Sequence, residues 1–441
     1  MSEAVTVNPS RALTQMRRAL SLSSFPIGVL TLGIPIYAPD KLGVSATQVG
    51  DLISVYALMT LLMRPFTGPA MDRWGRRRFF IAGLALQMAS NLFFAAGASY
   101  DWLLWGRIVQ GVAAGMLWIS AYAITADLAA QGKQGNLFGS VEEMLARGGL
   151  YGAVIGAPIL LFTNFNQTAW SLLFVLYAVL NAFGLAVAIR DVPETWQHAG
   201  GAATPPLLDG TQLNWLKSRL RQMFTDLPRP LLLLAFIVVF TSTANAGLSP
   251  ILIQFVRENI TPIPVILALA YLPSALVFAF FQSRLGKVSD RVGRRLPIAI
   301  GLLVSGLSSA IVPNLSPLKE HIGLWVLLPI VAFWVSEAIA FSAATPAEQA
   351  LVADLASEKS RGKAFGVYTT AQSLGQVIGP SLSGRLYDGI AHSAPFYFNT
   401  VVLWGGAAIV LLLIQEPLRH AVMAPVPHEP PSQWPSAGGG K

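Results

Sequence analysis

"GPAMDRWGRR", Gly68–Arg77, is a basic, glycine-bearing stretch with apolar sequence on both sides, and "GKVSDRVGRR", Gly286–Arg295, says nearly the same thing in the second half of the chain. The runs that flank both copies are long enough to cross a hydrocarbon core, which takes about 20 helical residues. Charged residues make up 12% of the 441 positions and hydrophobic ones 54%, against about 25% charged in ordinary soluble domains. The basic stretches therefore read as loops between membrane spans.

Counting outward from them gives twelve apolar runs, near 20–40, 48–70, 79–98, 101–127, 138–163, 168–190, 230–256, 262–284, 296–314, 322–348, 364–388 and 395–415. A spanning β-barrel would show short alternating segments instead, and backbone groups in lipid must be paired within the segment. The runs are therefore expected to be helices and the chain an all-α membrane protein. The first run follows Arg11, Arg17 and Arg18 as a signal peptide would. It continues through Pro39 and Asp40 without a small-residue cleavage site, so it reads as a retained span.

The net charge of +8 raises the question of nucleic acid, and the distribution of charge answers it. Arg11, Arg17, Arg18, both basic loops, Lys133, Lys217–Arg229, Lys359–Lys363 and the C-terminal tail all fall on one side of a twelve-span chain. Lys41, Arg257, Lys319 and Arg385 fall on the other. Basic residues collect on the cytoplasmic side, so the pattern describes topology, with both termini cytoplasmic and no nucleic-acid partner. With 0 cysteines, disulfides, thiolate metal sites and cysteine nucleophiles are excluded, and no other metal site is expected.

The chain divides into a first bundle at 1–190, a polar linker at 191–229, a second bundle at 230–417 and a Pro- and Gly-rich tail at 418–441 that reads as disordered. The halves repeat one another. "TADLAAQGKQGNLFG", Thr125–Gly139, aligns without a gap on "VADLASEKSRGKAFG", Val352–Gly366, and the basic loops align in the same order. Two six-helix repeats with a site at their interface is an architecture of secondary transporters.

Each residue type in the loop has a physical use. Glycine admits close helix approach, Asp accepts from the free N–H groups of a neighbouring helix start, and Arg reaches a second acid. Twelve spans, paired halves and GxxxDRxGRR after span two resemble the major facilitator superfamily over nearly the whole chain. That resemblance implies two pseudo-symmetric six-helix bundles and a conformational latch made of Gly68, Asp72, Arg73, Gly75, Arg76 and Asp127. The second copy carries Gly286, Asp290, Arg291, Gly293, Arg294 and Asp354. The resemblance implies that Asp72 faces the helix starting near Arg361–Gly366 and that Arg76 pairs with Asp127.

An ionised group at the bilayer centre costs about 3 kcal/mol on insertion scales, so each one in a span is a functional candidate. Arg107, in "GRIVQGVAAG", resembles the family's span-four arginine tied to proton coupling, and Gln110 shares its face. Arg107 sits either in the central cavity or, snorkelling, at the outer interface. Glu337 lies inside span ten and corresponds by repeat register to Gln110, which makes it the first choice for a proton-exchanging carboxylate; a structural acid is the alternative. Glu348 follows eleven residues later, about 20° away in helical phase, as a further coupling or latch candidate. Glu142 and Glu143 on span five are either coupling acids or, with Arg147 one turn after Glu143, an end salt bridge. Arg64 reads as structural.

In this family the uncharged cavity wall comes from spans one, four, seven and ten, here offering Tyr37, Trp118, Tyr122, Asn245, Gln254, Trp334 and Phe341. Gly148, Gly152 and Gly156 form a small-residue stripe on span five, and the glycine-rich GP pattern associated with the family's antiporters is fuller in span eleven, at Gly366, Gly375, Gly379 and Pro380. The resemblance implies a non-enzymatic carrier, monomeric, multi-pass in a bacterial inner membrane. It would use a proton gradient and no cofactor, with lipid, protons and a small organic molecule as partners. Proton-coupled efflux of drug-like compounds or metabolites, and uptake of a sugar or organic acid by symport or facilitation, both fit; a non-transporting membrane sensor is a remote third.

Overall fold

A computed structural model describes residues 9–128, 134–195, 227–356 and 360–414, with side chains described except at 9, 134–143, 146, 278–291, 361 and 362. The described residues form helices joined by short turns. In chain order these are α1 Pro9–Ser23, α2 Phe25–Leu42, α3 Ala46–Trp74, α4 Arg76–Ala95, α5 Tyr100–Leu128, α6 Gln134–Phe162 and α7 Gln167–Asp191. The second half holds α8 Arg229–Asn259, α9 Pro264–Val292, α10 Arg295–Leu315, the single turn α11 Lys319–Ile322, α12 Leu327–Leu355, α13 Arg361–Gly389 and α14 Ala394–Leu413. Eight stretches among the described residues are long and apolar enough to cross a membrane, one of them running through Arg295–Leu355.

Local chemistry sets the ends. The α1–α2 span breaks at Ser24, and Pro26 stands in the first turn of α2, where it supplies no N–H to carry the α1 ladder across. The Ser45 hydroxyl accepts from the Gln48 N–H at the start of α3 while the Gln48 carboxamide accepts from Ser45 N–H, a reciprocal cap that satisfies two free donors. Asn166 caps α7 in one direction only, its Oδ1 accepting from the Ala169 N–H at 2.7 Å.

Packing separates two bundles. In the first, α4 lies against α5 and α7, α3 against α5, and α2 against α6; in the second, α8 lies against α13 and α14, α9 against α12, and α10 against α12 and α14. The small-residue stripe of α6 behaves as expected. A Cβ on Gly152 would stand 1.9 Å from the Phe25 carbonyl oxygen, so α2 and α6 touch backbone to backbone only because that position has no side chain.

The bundles meet along α3 and α13. A Cβ on Gly50 would stand 2.1 Å from the Pro380 carbonyl oxygen, and one on Gly384 would stand 2.6 Å from that of Ala46. Polar contacts staple this seam near the face opposite the basic loops. Arg257 pairs with Asp40, Arg385 with Asp51 at 3.2 Å, and Asp388 accepts from the Thr47 N–H at 2.7 Å. Two of the few cations that the sequence left on the far side are thus held by acids of the other bundle.

Towards the basic face the inter-bundle hydrogen bonds among the described residues run as far as Arg64, whose Nη1 donates to Ser373 Oγ at 3.1 Å. Beyond it Asp72, Arg73 and Lys363 are exposed. The bundles are joined on the far face and parted at the basic one.

Candidate substrate cavity

The basic loop is built as a joint within the first bundle. Gly75 links α3 to α4 at φ +92°, a conformation that side-chain-bearing residues resist. A Cβ there would also stand 2.3 Å from Glu194 Oε2. That carboxylate accepts from the backbone N–H groups of Arg76 at 2.9 Å and Arg77 at 3.2 Å, capping α4. Arg76 pairs with Asp127 and donates to the Ala123 carbonyl, and Asp127 also accepts from Thr195 Oγ1 at 2.6 Å. Arg77 Nε donates to the Val192 carbonyl, so the loop grips the end of α7.

The second loop repeats the scheme. Gly293 has φ +94°, Arg294 Nε lies 3.3 Å from Asp354 Oδ2, and Arg295 donates to the Val410 and Leu411 carbonyls at the end of α14. Both arginine–aspartate pairs expected from the sequence are formed.

Two expectations for the first loop are corrected. Asp72 does not cap the start of α13 but is exposed, because the bundles are apart at this face. Gly68 admits no close neighbour: a Cβ added there would have nothing within 4 Å. Arg73 is exposed, its guanidinium 5.9 Å from the Trp74 ring centre. Gly286, Asp290 and Arg291 fall where side chains lie outside the described residues.

Between the bundles lies a row of chambers that share lining residues. The largest, about 430 Å³, is lined from α3 by Tyr56, Thr60 and Arg64, from α5 by Trp118 and Tyr122, and from α13 by Ser373 and Gln376. Tyr56 also borders the next, of about 200 Å³, which holds Arg107, Gln110 and Ser249. Ser249 in turn borders a third, of about 190 Å³, with Asn245, Tyr271, Ser274, Trp334, Glu337 and Phe341. Leu252, Tyr271 and Trp334 lead on to a narrow apolar recess of about 50 Å³ between α2, α6, α8 and α9.

Arg107 belongs to the cavity and not to the interface. It is 7% exposed, with Nη1 donating to Gln110 Oε1 at 2.8 Å. Its guanidinium lies 5.6 Å from the Tyr56 ring centre and 5.9 Å from that of Phe94. Nε is buried without a hydrogen-bond partner, and the ion pairs among the described residues give Arg107 no carboxylate.

Across Ser249, Glu337 Oε2 accepts from Ser308 Oγ at 3.1 Å. It too has no cation among the described ion pairs. The Nε1 donor of Trp334, one turn earlier, is buried and without a partner. Trp118, Tyr122, Asn245, Gln110 and Phe341 line these chambers.

Two cavity candidates, Tyr37 and Gln254, do not. Tyr37 is fully buried, stacked on Trp170 with ring centres 4.0 Å apart and donating to the Gly97 carbonyl, so it is core of the first bundle. Gln254 donates to Glu258 at 2.8 Å; Glu258 also accepts from the Tyr387 hydroxyl, so Gln254 belongs to a polar contact between α8 and α13 within the second bundle. Glu348 lines none of these chambers and accepts from Tyr368 on α13 at 3.1 Å. Glu142 and Glu143 lie on α6 where side chains are outside the described residues.

Sequence reading also missed residues. Arg64 lines the largest chamber with Tyr56 and Thr60, and their i, i+4, i+8 spacing on one face of α3 was a usable signal. Ser249, Ser308 and Ser373 carried none, since serines are unremarkable in a span.

Two helical bundles around a partly polar, centrally placed cavity define a membrane carrier. The family model of the Major Facilitator Superfamily matches residues 19–331 and 231–438, and the chain belongs to that transporter family. The quinolone resistance protein NorA of Staphylococcus aureus (strain MSSA476) is 25% identical over 392 residues, covering 88% of this chain and 92% of that one. Multidrug resistance protein 2 of Bacillus subtilis (strain 168) is 24% identical over 394 residues with the same coverage.

Among solved structures, a POT family transporter in complex with 5-aminolevulinic acid superposes with a TM-score of 0.71 at 14% identity, covering 91% of this chain and 95% of that one. A bacterial homolog to the human lysosomal transporter Spinster, in an inward-facing and unoccupied conformation, gives 0.63 at 17%, covering 94% and 95%. These two likenesses concern the fold.

Proposed function

We propose that this transporter exports drug-like organic molecules against a gradient by exchanging them for protons. The observation that carries the reading is Glu337, a carboxylate at mid-helix that faces the cavity with Ser308 as its hydrogen-bond donor and no fixed cation among the described ion pairs. An intramembrane acid so placed can hold either a proton or a cationic cargo group, and mutual exclusion at one carboxylate is what exchange requires. Two relatives named for quinolone and multidrug resistance support the direction and the cargo class. Positive charge collects on the cytoplasmic side, so the open basic face is the loading side.

Glu337→Gln in inverted vesicles should abolish proton-driven accumulation of ethidium and, because the same carboxylate meets the cationic group, weaken exchange of ethidium for ethidium as well. Undiminished accumulation in that variant would remove Glu337 from the coupling step. Uptake of an organic acid has one observation in its favour, the cavity-facing Arg107 without a carboxylate. Proton-driven movement of a labelled acid towards the basic face would favour that direction.

A further inference from the structure

We infer that the cargo of this transporter is amphoteric, with an anionic group seated at Arg107 and an amine at Glu337 on either side of Ser249. The inference rests on the export reading and adds to it the cargo's charge pattern and the Arg107 subsite.

The two chambers flanking Ser249 carry opposite charges that the described residues leave uncompensated. In one, Arg107 spends a guanidinium N–H on Gln110 and lays its faces over Tyr56 and Phe94. Its Nε has no partner. A buried cation in an apolar span is held at large cost unless an anion or several acceptors meet it. The neutral Gln110 and two rings meet it in part, and a carboxylate would complete the set in the paired geometry that guanidinium favours. In the other chamber Glu337 accepts one hydrogen bond from Ser308, beside Asn245 and Ser274.

Ser249 on α8 borders both spaces, so the two charges stand in neighbouring pockets, and the inferred cargo lies past Ser249 to meet both. The chambers, of about 200 and 190 Å³, together match the lower range of small-molecule sites, about 300–1,000 Å³. Tyr56 at one end and Tyr271 with Trp334 at the other offer ring faces to an aromatic body between the two charged groups. A purely cationic cargo would leave Arg107 as it is, and a purely anionic one would leave Glu337 without a counter-charge. An amphoteric molecule answers both.

The test uses the full chain in lipid nanodiscs with three forms of one fluorescent probe: norfloxacin, its methyl ester, which lacks the anion, and its N-acetyl derivative, which lacks the cation. Norfloxacin should bind about tenfold or more tightly than either derivative, the scale of one charged contact. Arg107→Gln should bring the acid-over-ester ratio to about one while the amine-over-amide ratio persists, and Glu337→Gln should do the reverse. Arg107→Lys should restore part of the acid preference.

Equal affinities for all three forms would overturn the inference. So would an Arg107→Gln loss shared equally by acid and ester, which would make Arg107 a structural cation or a mobile partner of Glu337. Binding of none of the three, with proton-driven ethidium transport intact, would overturn the amphoteric assignment and leave the export reading standing.

Discussion

Gly75 shows how a single position ties the basic loop to the bundle. Its positive φ lets α3 turn directly into α4, and the space where a side chain would stand is filled by the Glu194 carboxylate that caps α4. Gly75→Ala is expected to cost about 1–3 kcal/mol from backbone strain and displacement of that cap. The check is a lowered midpoint of thermal unfolding in detergent. Glu194→Ala should cost about 0.5–2 kcal/mol, the range for losing a helix cap. Both together should cost less than their sum, because without the carboxylate the alanine methyl has less to displace; strict additivity would mean that Glu194 does not occupy that space in solution. The glycine and the arginine–aspartate pairs were legible in the sequence because the loop is written twice. Glu194 was not, since nothing in "DVPET" states that the chain folds back onto the loop.

At the scale of helices, the α3–α13 seam and the parted basic face make opposite demands on two glycines of the same helix. Gly50 touches Pro380 across the closed part of the seam, whereas Gly68 near the basic loop has open space. Gly50→Val cannot be absorbed by a flexible neighbour, because the obstructing atom is a backbone oxygen, so it should push the equilibrium away from this conformation. Gly68→Val is free here; if α3 packs closely at Gly68 once the basic face closes, that change should hold the protein in the present state. A single reporter, Ser249→Cys, reads both: its labelling from the far face should rise with Gly50→Val and fall with Gly68→Val. Changes of the same sign would show that one of the two ends of α3 does not alternate. Helix periodicity told which residues share a face of α3, and so could have gathered Tyr56, Thr60 and Arg64. It could not tell which bundle a given face meets. That is why Tyr37 and Gln254, polar groups at a plausible depth, were expected in the cavity and are found packed inside the first and the second bundle respectively.

For the whole molecule, the far face is held by pairs that each join an acid of the first bundle to an arginine of the second, Asp40 to Arg257 and Asp51 to Arg385. Asp72, the proposed clasp for the basic face, stands exposed. The two sets of contacts compete if one face must open for the other to close. The far-face pairs are partly exposed, with side-chain exposures of 14% and 31% in one and 58% and 33% in the other. Such pairs contribute about 0–1 kcal/mol each, so Asp40→Asn with Asp51→Asn should move the ratio of the two conformations by about thirtyfold at most. The chain has 0 cysteines, so spin labels at Arg78→Cys on α4 and Lys363→Cys on α13 need no background removal. Both positions are exposed at the basic face, and their separation reports its opening. The double asparagine variant should enrich the shorter separation. Adding Asp72→Asn should deplete it again, because a closed basic face then lacks the carboxylate that would cap α13. A distance distribution indifferent to all three substitutions would mean that neither the far-face pairs nor Asp72 sets the balance. Enrichment that survives loss of Asp72 would leave the far-face pairs as the controlling contacts and strip the basic loop of its role as a latch.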